Sequence, residues 1–298
     1  MSEEILINST PSETRVALVE SGMLQEVWLE RVSHSGYIGN IYQGEVSRVL
    51  PGLQAAFVDI GLERTAFLHA RDMVRYVPAA NGEDKPEEPA ISSLLRPGDH
   101  VIVQVIKDPL GTKGARLTTN ISIPSRFLVL LPDSDDIGIS ARIDDEKERA
   151  RLKELVRVLR DDQAGRGYIV RTNAEGVNDF ALSADMVYLG KVWQTIRESV
   201  GSAQPGTCIF EDLSLPLRAM RDMMHEKVDR VRIDSPEVLE KARDFARRFL
   251  PDWLDRIEEH ASERPIFDLF GVEDEIANAL RPTTPLKSGG YLVFDQTE

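Results

Sequence analysis

The sequence predicts an α+β multidomain protein built around a small closed β-barrel, and three observations carry that expectation. Residues 36–126 form short runs rich in Val, Ile and Phe, separated by Pro51-Gly52, Gly61 and Pro97-Gly98, with little helical periodicity. From residue 127 onward, strand-like runs alternate with amphipathic helical ones. At 298 residues the chain also exceeds one ordinary domain of about 100–200 residues.

Taken in order, residues 5–8, 14–20 and 24–31 alternate apolar and polar positions, with Ser21-Gly22 between the last two, and read as a β-meander. So short a meander is not stable alone, so it is expected to join a sheet completed elsewhere in the chain. Barrel strands are expected at 38–50, 54–60, 66–68 and 100–107. Inside this stretch the Pro- and Glu-rich run 77–89 offers too little apolar surface to order itself and is expected to be a flexible surface insertion.

Beyond the barrel, strands are predicted at 127–131, 138–140 and 168–171 and helices at 144–159 and 180–200, the second preceded by Asn178-Asp179 as a cap region. A helix at 213–226 and a strand at 228–233 follow, then a helix at 236–250 with Ser235 as N-cap and Pro236 in its first turn. Helical signal continues through 253–260 and 267–280. Ser288-Gly289-Gly290 then introduces a strand at 291–294, which reads either as an edge strand or as the first strand of a further domain.

Composition removes several classes of function. With 36 Lys+Arg against 50 Asp+Glu the formal charge is −14, which excludes a uniformly basic nucleic-acid coat. Charge is unevenly distributed, however. Residues 36–126 hold ten basic and ten acidic side chains, and four of those acids fall in 83–88, so Lys107, Lys113, Arg116 and Arg126 leave room for a local basic face. A single cysteine, Cys208, excludes a disulfide framework and a multi-cysteine zinc site, and the five histidines show no metal-ligand spacing. No run approaches the roughly 18 apolar residues of a membrane span. The acidic start, Met1-Ser2-Glu3-Glu4, lacks the basic and apolar regions of a signal peptide, which points to the cytoplasm.

Four places could carry chemistry. Phe57 and Phe67 flank the turn at Gly61. Alternation alone reads such phenylalanines as core, whereas two rings exposed on neighbouring barrel strands would stack successive bases. The Gly-rich segment 110–115 presents Lys113 but lacks the Gly-Lys-Ser/Thr of a triphosphate loop, so it reads as a strand-connecting turn. Arg171-Thr172 ends a strand. A guanidinium fork beside a hydroxyl suits a terminal phosphate, although spacing alone favours an ordinary surface arginine. Asp295 and Glu298 end the last strand, yet no converging set of carboxylates accompanies them, so no self-sufficient active site is expected.

Longer strings then become recognisable. The runs 39–61, beginning Gly39-Asn40-Ile41-Tyr42-Gln43-Gly44, and 107–119, with Asp108-Pro109-Leu110-Gly111-Thr112-Lys113-Gly114, resemble the RNA-binding barrel of the ribonuclease E/ribonuclease G endoribonucleases. Residues 123–129, Arg264-Pro265-Ile266-Phe267-Asp268-Leu269-Phe270 and 287–298 resemble the ribonuclease G branch of that family in particular. The resemblance runs from residue 5 to the last residue.

The resemblance implies an RNase H-like domain from residues 1–35 and 213–280, split by an OB-fold barrel of the ribosomal S-one type at 36–119 and an α/β 5′-sensor domain at 120–212. Residues 281–298 would be the first strand of a DNase I-like catalytic domain. It further implies that Phe57, Phe67 and Lys113 hold single-stranded RNA, and that Ser125, Val129, Arg171 and Thr172 bind its 5′-monophosphate, Ser125 standing where ribonuclease E-like sequences carry glycine. In the intact family enzyme it implies magnesium for hydrolysis, zinc between subunits and a homodimer. The aspartates and cysteines for those metals match no position of this chain, so the resemblance implies no metal and no catalytic residue here, and RNA bound without being cut; the lack of a long apolar run leaves no membrane contact expected. A stand-alone RNA-binding or regulatory protein, or a scaffold whose barrel binds no RNA, are the competing readings.

Overall fold

An apolar triplet, Ile5-Leu6-Ile7, sits inside the first strand, and such a run needs partners on both of its faces. The computed structural model describes residues 2–31, 36–73, 89–160, 166–201, 203–224, 227–286 and 288–295. In it β1 (Glu3–Ser9), β2 (Glu13–Glu20) and β3 (Met23–Arg31) form the antiparallel meander, with Ile5 opposite Leu18 and Ile7 opposite Val16.

The barrel follows. It is made of β4 (Ile41–Leu50), β5 (Ala55–Asp59), β6 (Ala66–His69), β7 (His100–Lys107) and β8 (Arg116–Thr118), with the short helix α1 (Ile91–Leu94) ahead of β7. Hydrogen bonding runs β4–β5–β6–β8–β7 and returns to β4, closing a five-stranded ring. Full closure removes the exposed sheet edges that a short β protein must otherwise protect. Val46, Ala56, Val58, Ala66, Leu68, Val103 and Leu117 fill the interior. The strand expected from residue 38 starts at Ile41, after a turn through Gly39. The predicted insertion at 77–89 lies, apart from Pro89, outside the described residues.

Next comes a four-stranded sheet of β9 (Ile123–Pro124), β10 (Leu128–Leu131), β11 (Ile137–Ile139) and β12 (Gly167–Val170), in the order β11–β12–β10–β9. Two helices cover it, α2 (Glu146–Arg160) and α3 (Asp179–Val200), the latter capped by the Asn178 side chain on the Ala181 N–H. Leu128, Leu130, Tyr168 and Val170 meet Leu152, Val156, Leu182 and Leu189 in one core. The short β13 (Thr207–Phe210) then adds to the first half of β4.

The rest of the chain completes the first sheet. After α4 (Leu215–Met223), β14 (Val228–Ile233) pairs in parallel with β1, and after α5 (Pro236–Phe249), β15 (Ile257–Glu259) pairs in parallel with β14. Ile5 and Ile7 pack on one side with residues of α4 and α5. Leu6, Ala17 and Val19 pack on the other with Ile266, Phe267 and Val272.

Two helical expectations are corrected here. Residues 253–260 do not form a helix: Pro251 cannot continue α5, a short 3-10 segment covers Pro251–Arg256, and the chain then extends as β15. Residues 267–280 divide into α6 (Ile266–Leu269) and α7 (Val272–Ala279) at Gly271, whose φ of +68° is the left-handed conformation that ends a helix. The last strand, β17 (Tyr291–Val293), pairs antiparallel with β16 (Thr283–Pro285).

The chain packs as two compact units, residues 1–35 with 213–298, and residues 36–212. Among the described residues no helix is long and apolar enough to cross a membrane.

Candidate nucleic-acid interface

Both groups of residues singled out from the sequence lie in the unit 36–212. On the barrel, the period-two geometry of β5 and β6 decides which way each side chain points. Ala56, Val58, Ala66 and Leu68 take the inward positions and are fully buried, while Phe57, Phe67 and His69 take the outward ones and are half-buried. The reading of the two phenylalanines as core is therefore corrected, because small and aliphatic neighbours already occupy the interior.

Phe57 and Phe67 are direct cross-strand partners, their ring centroids 6.1 Å apart at 71°, edge to face. The His69 ring stands 6.4 Å from Phe67, and the Arg48 guanidinium lies 5.2 Å above the Phe57 ring. Arg48 is the β4 partner of Phe57, and Arg116 the β8 partner of Phe67. Four strands thus bring two rings, an imidazole and two guanidiniums to one outer face. Arg116 is also paired with Asp72 at 2.9 Å, which lowers the net charge this face offers.

Lys113 is exposed in a tight turn closed by reciprocal backbone hydrogen bonds between Leu110 and Lys113, at 3.0 and 3.1 Å, as the sequence suggests for 110–115. The turn leads into β8, and the Arg64 guanidinium ties it by donating to the Gly111 carbonyl. Of the four basic residues expected to share a face, Lys107 and Arg116 are register partners, whereas Arg126 belongs to the second group of residues.

That second group is held by a buried carboxylate. Asp185, on α3, accepts a hydrogen bond from the Ser125 hydroxyl and one from each of the Phe127 and Leu128 backbone N–H groups, both at 3.0 Å. Only 9% of Asp185 is exposed, and burial pushes its carboxyl above the usual carboxylate range in spite of those donors. Arg126, beside it, lies 4.9 Å over the Phe127 ring, and burial lowers its pKa.

The segment 125–128 in turn receives Arg171. The Arg171 N–H donates to the Phe127 carbonyl at 2.8 Å, and its guanidinium donates to the Ser125 carbonyl at 2.5 Å. Ser125 and Arg171 are therefore brought together. Thr172 meets a different residue, its hydroxyl 3.2 Å from that of Ser140. Val129 is half-buried on the outer side of β10, opposite Ile169, which is 38% exposed.

Sequence reading missed Arg48, His69, Ser140 and Asp185. For Asp185 a signal exists: it falls on the stripe of α3 that also carries Leu182, Met186 and Leu189, where a carboxylate has no place unless something is bonded to it. A cavity of about 300 Å³ elsewhere in this unit is lined by Ile102, Ile121, Asp133, Trp193, Arg197 and Val200. Among the described residues no three His, Cys, Asp or Glu side chains converge on a point that could hold a metal ion.

Comparison with known proteins gives a consistent answer. A family model described as the ribonuclease E/G family matches residues 122–298. A protein named Ribonuclease G from Escherichia coli (strain K12) is 47% identical over 300 residues, covering 100% of this chain and 61% of that protein. The Ribonuclease G of Haemophilus influenzae is 45% identical over 297 residues, covering 99% of the chain and 60% of the relative. The Ribonuclease E of Escherichia coli (strain K12) is 38% identical over 303 residues, covering 99% of the chain and 28% of the relative. The chain thus spans about three fifths of the length of the ribonuclease G relatives it matches.

Proposed function

The chain belongs to the ribonuclease E/G family, and on that premise we propose that its 298 residues hold single-stranded RNA, gripping bases on the barrel and a 5′-monophosphate at Arg171. The carrying observation is the outward-facing pair Phe57–Phe67 on a closed barrel, with Arg48 over one ring. Each ring can stack a base, worth about 1–3 kcal/mol, without regard to sequence, and Lys113 supplies a phosphate contact from the neighbouring turn.

In this reading residues 36–119 are an OB-fold RNA-binding domain and 120–212 a 5′ sensor. Residues 1–35 with 213–280 are an RNase H-like domain, and 281–298 open a DNase I-like catalytic domain. Ser125, Val129, Arg171 and Thr172 form the phosphate pocket. The Arg171 fork, anchored through the Ser125 carbonyl, is the cation that reads the doubly charged end. Magnesium-assisted hydrolysis, zinc between subunits, a homodimer and a cytoplasmic setting are proposed for the whole family enzyme, and for this chain binding without cleavage.

One set of measurements tests the RNA-binding reading. Binding of fluorescent single-stranded RNA with a 5′-monophosphate or a 5′-hydroxyl is compared for the wild type, Phe57→Ala and Arg171→Ala. Phe57→Ala should weaken both RNAs by about tenfold, as the loss of one stacked base requires. Arg171→Ala should erase the difference between the two RNAs while leaving the hydroxyl form bound. An unaltered Phe57→Ala affinity would favour a scaffold whose barrel binds no RNA. Magnesium-dependent, EDTA-sensitive cleavage by the wild type would replace the binding-only reading.

A further inference from the structure

We infer that Asp185 is the positioning residue of the 5′-end site, its carboxylate holding segment 125–128 in the shape against which Arg171 is set. The inference deepens the 5′-monophosphate reading and rests on it.

A carboxylate only accepts hydrogen bonds, and both oxygens of this one are used: Oδ1 by the Ser125 hydroxyl, Oδ2 by the N–H groups of Phe127 and Leu128. Donors from all four consecutive residues, the Arg126 backbone included, therefore converge on one side chain that comes from a distant helix. The other side of the same segment presents its carbonyls to Arg171, which takes Phe127 through its backbone N–H and Ser125 through its guanidinium. Asp185 and Arg171 do not bond to each other in these interactions. They grip opposite polar groups of one short stretch of backbone.

Packing alone does not explain the residue. The flanking buried positions of α3 are Leu182, Met186 and Leu189, and an apolar side chain at 185 would extend that stripe without burying a charge. Burial of a carboxylate at 9% exposure is offset only because the donors of segment 125–128 are waiting for it. A fork that binds an anion tolerates little displacement, since hydrogen bonds weaken steeply as their angles close. Freeing 125–128 from Asp185 therefore moves the guanidinium anchor without touching the barrel face.

The full chain is used for the test, with two single-stranded RNAs that differ only in a 5′-monophosphate or 5′-hydroxyl end. Asp185→Leu should lower the preference for the monophosphate roughly tenfold. Affinity for the hydroxyl RNA should stay within about twofold. Asp185→Asn should keep most of the preference, because its amide oxygen can accept the two backbone N–H groups while its NH₂ donates to the Ser125 oxygen.

An unchanged preference in Asp185→Leu, together with a lost one in Arg171→Ala, overturns the inference and leaves the 5′-end reading standing. A preference that survives Arg171→Ala, or is absent from the wild type, overturns that reading and the inference with it. Equal losses in Asp185→Leu and Asp185→Asn replace positioning by a pure charge effect. Should Asp185→Leu fail to fold, Asp185→Ser shortens the acceptor out of reach of the segment without adding an apolar side chain to the stripe. A several-fold loss of preference at near-native unfolding temperature then supports the inference, and an unchanged preference overturns it.

Discussion

At the scale of single residues, side-chain direction decides most of what this protein can do. Phe57 and Phe67 look like core residues in the sequence because their strands alternate, yet alternation says only that they share a face, not which one. The interior face is settled by Ala56, Val58, Ala66 and Leu68, which the curvature of a small barrel can accommodate. Asp185 shows the converse, a carboxylate that lies buried on the apolar stripe of its helix. Glycine supplies a residue-scale prediction. Gly61 has φ +80°, and a Cβ there would stand 2.1 Å from the Gly206 carbonyl oxygen. Gly61→Ala is expected to destabilise the protein by roughly 1–3 kcal/mol, from backbone strain and the forced parting of two backbones. Thermal unfolding of the variant measures it, and an unshifted midpoint would show that the two segments separate freely.

At the scale of elements, local periodicity and capping account for the helices, and proline or glycine for where they stop. Asn178 caps α3, and Ser235 with Pro236 opens α5, as the sequence anticipates. By contrast β13 and β9, of four and two residues, leave no periodic trace, and they exist as strands only because β4 and β10 lie beside them.

The link between α2 and the turn after β12 carries a pH prediction. Glu148 receives hydrogen bonds from Arg151 and from the Gly176 N–H, and these hold its carboxyl down at about 2, the Arg151 contact first. Because the folded value lies below the ordinary 4.5, the stabilisation is complete above about pH 4.5 and is lost as the pH falls toward 2. The pair stands near the surface, so its worth is at most about 1 kcal/mol. Glu148→Gln should flatten that part of the stability curve, a change readable in denaturant titrations between about pH 5 and 2. An identical acid slope in the variant would assign it to other carboxylates.

At the scale of the whole molecule, each compact unit closes its own cores. Among the described residues, the barrel and sheet cores draw only on positions within 36–212, and the remaining two only on positions within 1–35 and 213–298. Residues 36–212 expressed alone should therefore unfold cooperatively and keep their affinity for single-stranded RNA, whereas residues 1–35 alone should not fold, since β1 lacks β14. A non-cooperative transition in the 36–212 fragment would mean that its cores depend on the rest of the chain.

By itself the sequence determined the β-rich character of 36–126, the succession of strands and helices after it, and the need of the opening meander for strands from elsewhere. Its family resemblance also named the rings and the arginine. Each of these follows from patterns a few residues long, or from strings that can be matched as words. Only the tertiary structure decided that the two rings face outward, that β1 finds its partner more than two hundred residues away at β14, and that Asp185 holds the segment beside Arg171. Those outcomes depend on which backbone closes against which. Ladder partners and buried hydrogen bonds join residues distant in the chain, and no local pattern encodes them.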